Sequence, residues 1–126
     1  MDNNTSRAGA NAVPQGHRTL HLTPAVVWNA QLLSREYRPE AFELDWFIHC
    51  TDDVGELMNV GNRYYRDDSR EYLALTINCN LLSATVIYED PARMFPHIYG
   101  PLDTKAIERV QRVKRDPGGE FIGLAP

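Results

Sequence analysis

The chain contains 126 residues, which suits one domain and is too short for two separate cores. Hydrophobic residues make up 43% of the sequence, which is enough for a core that needs no disulfide or structural metal. The formal net charge is -4, and this mild acidity argues against binding to duplex nucleic acid, which normally requires a basic stripe. No apolar run approaches the ~18 residues of a membrane span, so no membrane contact is expected.

Residues 1–17 are predicted to form a disordered tail, because they carry almost no large apolar side chains. They also lack the apolar segment and the basic start of a signal peptide, which makes the cytoplasm the expected location. Residues 18–126 are predicted to form a single α+β domain.

The first half of this domain is predicted to alternate between strands and helices. A short strand over residues 19–22 precedes a helix over residues 25–35, whose apolar side chains recur at helical spacing. A second strand over residues 46–50 precedes a second helix that runs to about residue 65. Each helix follows a threonine that is expected to cap it, Thr23 for the first helix and Thr51 for the second.

The second half is predicted to consist mainly of strands. The clearest strand covers residues 72–77, and further strands are expected over residues 84–88 and 94–99. Pro96 lies inside the last of these, which places that strand at an edge or a bulge. The order of elements predicts an α+β domain in which two helices pack on small, mostly antiparallel sheets.

Three histidines lie in or beside predicted strands: His21, His49 and His97. One such histidine is more often a half-buried core residue than a ligand-binding residue, but three in a short domain favour a common cleft. His21 and His49 each stand two residues before a threonine and beside a helix N-terminus, where free N–H groups favour a phosphate. Thr23 and Thr51 could equally serve as helix caps without binding anything.

The segment from residue 95 to residue 101 contains two prolines, a glycine and two aromatic residues around His97. Such a rigid segment suits the wall of a ligand cleft, in which Tyr99 stacks on a flat ring and His97 donates to a ligand oxygen. A stiff edge strand followed by a turn explains the same residues equally well. Glu89 follows a predicted strand and could face this cleft, although acidic loop residues are usually solvated.

No metal site is predicted. The histidines and Cys50 supply enough donor atoms, but no two of them have the spacing of ordinary zinc motifs. His49 and Cys50 are also neighbours on a strand, so their side chains must point to opposite faces. Cys50 and Cys79 both lie in apolar runs and are expected to be reduced and inert.

Four segments stand in an order that is characteristic of one family of small bacterial proteins: Leu20–Thr23, Tyr37–Pro39, Phe47–Thr51 and Phe95–Leu102. On these segments the chain resembles the domain-of-unknown-function 952 family, over about residues 18–113. Asp45 and Trp46 stand where that family more often has an acidic residue and a glycine. The family label itself implies no biochemical function.

The layout is also similar to the ADP-ribosyltransferase fold, and in particular to its RNA 2′-phosphotransferase branch, in which NAD lies in a cleft between two small sheets. This resemblance implies that His21, supported by Thr23, holds the ribose or adenine side of the ligand. It further implies that His49 and Thr51 line the floor of the cleft and that Tyr99 covers the nicotinamide.

Catalysis in enzymes of this fold depends on a glutamate that stabilises an oxocarbenium-like transition state. Glu89 is the candidate for this role, and His97 is the second candidate for a catalytic role. The 2′-phosphotransferases also use several arginines around the phosphate, and the sequence does not identify their equivalents.

The expected function is that of a small ADP-ribosyltransferase-like domain that binds NAD, ADP-ribose or a related nucleotide, with NAD as the expected cofactor. One alternative is a non-catalytic binding module for a phosphorylated metabolite or a protein partner, and a second is a metal-dependent enzyme that uses the histidines. The missing arginines favour the binding module over the transferase, and the rigid aromatic and histidine residues favour a small ligand over a protein. The sequence leaves open whether the protein is an enzyme, what its acceptor is and how it oligomerises.

Overall fold

A four-stranded antiparallel sheet forms the largest part of the fold. The computed structural model describes residues 15–126, so most of the predicted tail lies outside the described part of the chain. The four strands are β1 (Arg18–Pro24), β4 (Tyr72–Asn78), β8 (Ile107–Arg115) and β9 (Phe121–Leu124). They are hydrogen-bonded in the order β1, β4, β8, β9. The apolar strand β4 lies inside this sheet and is almost wholly buried, as its continuous hydrophobic run requires.

Two smaller antiparallel sheets complete the strand content. The three-stranded sheet has the order β3, β6, β5, with bounds Ile48–His49, Pro96–Tyr99 and Thr85–Tyr88. A two-stranded ribbon pairs β2 (Glu36–Tyr37) with β7 (Leu102–Asp103). The mixed α/β architecture with antiparallel sheets, as predicted from the sequence, is confirmed.

Three α-helices occur in the described part of the chain, and two of them are very short. They are α1 (Ala25–Asn29), α2 (Phe42–Asp45) and α3 (Val54–Tyr64). Single 3₁₀ turns cover Cys79–Leu81 and Thr104–Ala106. No helix among residues 15–126 is long and apolar enough to cross a bilayer.

The predicted helices differ from the observed ones at their ends. The helix expected over residues 25–35 ends at Asn29, and Leu32 and Leu33, which continue its apolar spacing, are exposed beyond its end. The second helix is capped by Asp53, whose carboxylate accepts a 3.0 Å hydrogen bond from the Glu56 amide, and not by the predicted Thr51. Thr23 is likewise part of β1 and does not cap α1.

Apolar side chains form two core clusters. In one cluster, Leu20 and Leu22 of β1 pack with residues of α3, β4, β8 and β9. The other cluster contains Tyr37, residues of the three-stranded sheet, and the β4 side chains that alternate along the strand with those in the first cluster. On β1, His21 and Thr23 alternate with the leucines and contact Tyr37, so this strand presents a polar face to the second cluster.

The segment after β3 joins the two larger sheets edge to edge. Leu20 and Thr51 exchange two backbone hydrogen bonds of 2.9 and 2.8 Å, which attach this segment to β1. On its other side, the Cys50 amide donates to the Pro96 carbonyl and the Asp52 amide donates to the Met94 carbonyl. The side chains of β1 and β3 that flank this junction therefore lie next to each other.

His17 precedes β1 and contacts the folded domain. Its Nε2 atom lies 3.1 Å from Asp52 Oδ2, and the Tyr88 hydroxyl is hydrogen-bonded to both groups. The His17 carbonyl also accepts a hydrogen bond from the Cys79 amide. The sequence places His17 at the end of the tail, whereas these contacts tie it to the domain. Residues 1–14 lie outside the described residues.

Candidate functional site

Two adjoining clefts open where β1 and β3 meet, beneath helix α3. The first has a volume of about 170 Å³ and the second a volume of about 490 Å³. Four residues line both clefts: His49, Thr51, Val60 and Tyr65. The two clefts therefore form one groove that is continuous past the end of β3.

His21 lies in the floor of the first cleft and is 5% exposed. Its Nδ1 lies 2.7 Å from the His49 carbonyl, which can only accept, so this nitrogen carries the proton. Its Nε2 lies 3.3 Å from the Tyr37 hydroxyl. Burial lowers the pKa of His21 to about 4, so the ring is neutral at pH 7. His21 offers a neutral imidazole that is held in place by its Nδ1 hydrogen bond, while the one proton of the Tyr37 hydroxyl is donated to Thr23.

The two predicted threonines are buried beside this histidine. Thr23 accepts a 2.6 Å hydrogen bond from the Tyr37 hydroxyl, and burial raises the pKa of that hydroxyl. Thr51 is 3% exposed and lines both clefts, and its backbone is paired with Leu20. Both threonines thus belong to the floor of the groove.

His49 and His97 stand directly opposite each other on β3 and β6. Their ring centroids are 5.2 Å apart, and both side chains line the second cleft. Phe47 stacks on the His97 ring with a centroid distance of 4.1 Å and meets the His49 ring edge-on at 4.7 Å. The three rings form a cluster that we call the Phe47–His49–His97 cluster.

Each histidine of this cluster is bonded to a carboxylate. Glu89 Oε1 accepts hydrogen bonds of 2.7 Å from His97 Nδ1 and from the Tyr99 hydroxyl. These two bonds lower the pKa of the Glu89 carboxyl, the Tyr99 bond contributing most. Asp45 Oδ2 accepts a 3.0 Å hydrogen bond from His49 Nε2. In each ring, a hydrogen bond from one nitrogen to a carboxylate therefore sets the orientation of the imidazole.

The predicted site residues fall into two groups. Five of them line one or both clefts: His21, Thr23, His49, Thr51 and His97. Glu89 and Tyr99 line neither of these clefts, and they lie at the outer side of His97, where Tyr99 is 37% exposed. The position of Glu89 suits the orientation of His97, and the position of Tyr99 does not suit a cover over a ring in the groove.

Helix α3 contributes a wall that the sequence did not identify as functional. Glu56, Asn59, Val60 and Arg63 all line the second cleft, at the spacing of one helix face. The Arg63 guanidinium lies over the Tyr64 ring at 5.5 Å, and no carboxylate among the described residues pairs with it. The available signal was the spacing of Asn59 and Arg63 on one face of the predicted second helix.

Aromatic rings and two acids line the first cleft. Tyr65 and Tyr72 stack at a centroid distance of 5.1 Å, and Phe47 also lines the cleft. Asp45 and Glu40 also line this cleft, and a hydrogen bond from Arg70 lowers the pKa of the Glu40 carboxyl. The groove is therefore aromatic at one end, with Asp45 and an Arg70-paired Glu40 beside it, and carries Arg63 at the other.

The two cysteines are free and buried. Burial raises the pKa of the Cys50 thiol, and it raises the pKa of the Cys79 thiol to about 11. Both are therefore protonated at neutral pH and poorly nucleophilic. The described residues contain no group of three or more histidine, cysteine, aspartate or glutamate side chains placed to hold a metal ion.

The model of the family described as "Protein of unknown function (DUF952)" matches residues 22–110. The chain belongs to the DUF952 family. The matched range contains every predicted site residue except His21, which directly precedes it. This membership agrees with the resemblance seen in the sequence motifs.

The fold of this DUF952 protein is similar to that of the protein CC0527 from Caulobacter crescentus. The crystal structure of CC0527 has a TM-score of 0.70 at 18% sequence identity, over 83% of this chain and 93% of that one. Its solution NMR structure has a TM-score of 0.61 at 17% identity, over 81% and 89% of the two chains. At these identities the likeness concerns the fold alone.

A curated relative comes from a plant. "UDP-glycosyltransferase 13" of Pueraria montana var. lobata is 32% identical over 85 residues, which are 61% of this chain and 19% of that protein. The DUF952 chain thus spans about a fifth of the length of this relative.

Proposed function

We propose that the groove binds a nucleotide of the NAD or ADP-ribose type, on a domain of ADP-ribosyltransferase-like layout. The observation that carries this proposal is the second cleft, in which the Arg63 guanidinium has no carboxylate partner among the described residues and lies with His49 and His97. Its volume of about 490 Å³ falls within the range of about 300–1,000 Å³ typical of small-molecule sites. A guanidinium is the group best suited to hold a phosphate.

The other end of the groove suits the sugar and the ring of such a ligand. Asp45 offers a carboxylate oxygen that accepts from a ribose hydroxyl, whereas both oxygens of Glu40 are held by Arg70. Phe47, Tyr65 and Tyr72 offer aromatic surfaces for stacking. A split pair of antiparallel sheets around a cleft is also the layout in which the ADP-ribosyltransferase fold holds NAD.

Binding is better supported than transfer. Glu89, the candidate for the catalytic carboxylate, lines neither cleft and accepts hydrogen bonds from His97 and Tyr99. His97 lines the second cleft, so it can touch a ligand while Glu89 sets its orientation. We therefore propose a nucleotide-binding module in which any proton transfer involves His97, with Glu89 as a positioning residue.

Calorimetry with NAD, ADP-ribose and UDP-glucose tests the proposal. UDP-glucose is included because the plant relative carries the name of a UDP-glycosyltransferase and because all three ligands contain a ribonucleoside diphosphate. NAD or ADP-ribose should bind with a Kd of millimolar or tighter, equivalent to about 4 kcal/mol or more.

Arg63→Gln should weaken this binding by about 1–3 kcal/mol, or roughly 5- to 150-fold, because it removes a charged donor to the phosphate. Arg66→Gln is the matched control, since Arg66 is an exposed arginine that lines neither cleft, and it should bind as the native protein does. The absence of heat and of a thermal shift at several millimolar of each ligand would overturn nucleotide binding.

A further inference from the structure

The Phe47–His49–His97 cluster contains two imidazoles on neighbouring strands. We propose that His49 and His97 form a two-histidine site for a divalent transition-metal ion such as Zn²⁺, with the remaining coordination positions open toward the second cleft. This inference is independent of nucleotide binding, because it depends only on the two rings and their carboxylate partners.

The spacing of the two rings fits a shared ion. His49 and His97 are directly paired across antiparallel strands, and their ring centroids are 5.2 Å apart. Two imidazoles that bind one ion at about 2.0–2.1 Å, with a nearly tetrahedral angle between them, have centroids about 5 Å apart. The observed separation of the ring centroids matches that value.

The hydrogen bonds leave one free nitrogen lone pair on each ring. A carboxylate only accepts, so the bond to Glu89 places the proton of His97 on Nδ1, and the bond to Asp45 places the proton of His49 on Nε2. His97 Nε2 and His49 Nδ1 are thus the nitrogens that can bind a metal.

The order of strands turns His97 Nε2 toward His49. In the three-stranded sheet β6 lies between β5 and β3, and Glu89 directly follows β5. The outward directions of the two nitrogens of an imidazole diverge widely. Because Nδ1 is bonded to Glu89 on the β5 side, Nε2 is directed to the β3 side, where His49 lies.

The surroundings are those of a metal-binding histidine pair. Histidines that bind metals almost always donate their other ring N–H to a carboxylate, a carbonyl or a water, and here both donate to a carboxylate. Phe47 stacks on His97 and fixes its ring plane, and the His49 side chain is 61% exposed, so an ion can reach it. Imidazole nitrogens suit Zn²⁺, Ni²⁺ and Cu²⁺.

Protein from which metal has been removed by a chelator should bind one equivalent of Zn²⁺ in calorimetry, and one equivalent of Co²⁺ in absorption spectroscopy. His49→Ala and His97→Gln should each abolish this binding, while circular dichroism confirms that both variants fold. Glu89→Gln, which touches no metal, should weaken it by about 10-fold or more. His17→Ala is the control histidine variant and should bind as the native protein does.

The outcome at the two histidines decides the proposal. No saturable binding at submillimolar Zn²⁺, or binding that survives in the His49→Ala and His97→Gln variants, would overturn it. A protein that binds the metal but no nucleotide would uphold the metal site and reject the proposed function. A protein that binds a nucleotide but no metal would uphold the proposed function and reject the metal site.

Discussion

His21 is a buried, neutral histidine, and this makes the stability of the protein depend on pH. Its pKa is lowered by burial to about 4 in the folded state, against about 6.5 in an unfolded chain. The unfolded state therefore takes up a proton first, so the stabilisation is complete above pH 6.5 and is lost as the pH falls toward 4. We expect the free energy of unfolding to fall by about 2–3 kcal/mol between pH 7 and pH 4.5 from this residue.

Urea denaturation at the two pH values measures this effect. His21→Asn is the matched variant, because an asparagine amide can still donate to the His49 carbonyl but does not titrate. Its free energy of unfolding should change less with pH than that of the native protein. An equal pH dependence in both proteins would show that His21 is not the titrating group.

Tyr99 and His97 should differ in their effect on ligand binding. Tyr99 lines neither cleft, and Tyr99→Phe removes only an exposed hydrogen bond to Glu89. Nucleotide affinity should therefore stay unchanged in this variant. His97→Ala removes a side chain from the wall of the second cleft and should weaken binding by about 1–3 kcal/mol. Melting temperatures and calorimetric affinities of both variants check this. Because Tyr99→Phe keeps the aromatic ring, a loss of affinity in Tyr99→Ala as large as that in His97→Ala would restore the stacking role predicted for Tyr99 from the sequence.

At the residue scale, the sequence identified which histidines to consider but not what each one does. Strand position alone brings His21, His49 and His97 to the same junction. Their roles depend on partners distant in sequence, such as the His49 carbonyl for His21 and the Glu89 carboxylate for His97. Arg63 was missed because a single arginine on a helix is indistinguishable from a solvated surface residue until the opposite wall is known.

Among the helices, α2 ends in a strained residue. Trp46 adopts the left-handed conformation with a φ of 62°, which costs an L-residue roughly 1–2 kcal/mol, and its ring is 68% exposed. Trp46→Gly and Trp46→Ala both lose the edge contact with Phe42, but only glycine relieves the strain. The glycine variant should therefore exceed the alanine variant in free energy of unfolding by about 1 kcal/mol in urea denaturation. Equal stability would show that the backbone there relaxes freely.

Helix α3 packs closely on β9 through Gly61. A Cβ atom at this position would lie less than 3 Å from the ring of Phe121, which is itself buried. Gly61→Ala should therefore lower the free energy of unfolding by about 1–3 kcal/mol, despite the better helix propensity of alanine. Thermal melts measure this loss, with Asn59→Ala, at an exposed position of the same helix, as the control variant. A Gly61→Ala protein as stable as the native one would mean that Phe121 can move aside.

At the scale of elements, the sequence predicted those whose hydrophobic period is strong, such as β4 and α3. It misplaced the start of α3 because Thr51 resembles a helix cap. In the fold both backbone groups of Thr51 bond to Leu20, so the chain stays extended and Asp53 becomes the cap two residues later. A long-range pairing of this kind leaves no local signal.

For the whole molecule, the groove arises from the way in which the sheets meet. The first cleft takes its floor from β1 and its neighbouring wall from β3, and these elements belong to different sheets. The antiparallel architecture was predictable from the order of elements. The junction between the two sheet edges was not predictable. It depends on residues 50–52, whose backbone groups bond alternately to β1 and to the segment on the other side that leads into β6.

The Leu20–Thr51 bridge gives the groove a means of opening. Among the described residues, two backbone hydrogen bonds join β1 to the segment that follows β3, whereas β1 and β4 are paired along seven residues. The amides of Leu20 and Thr51 should therefore exchange with deuterium sooner than those of Leu73 and Leu75 in β4, because separating the sheets breaks far fewer bonds than unfolding. A ligand that spans both clefts would hold the two sheets together and should slow exchange at this bridge first. Exchange that is equally slow at all four amides would mean that the sheets part only when the whole domain unfolds.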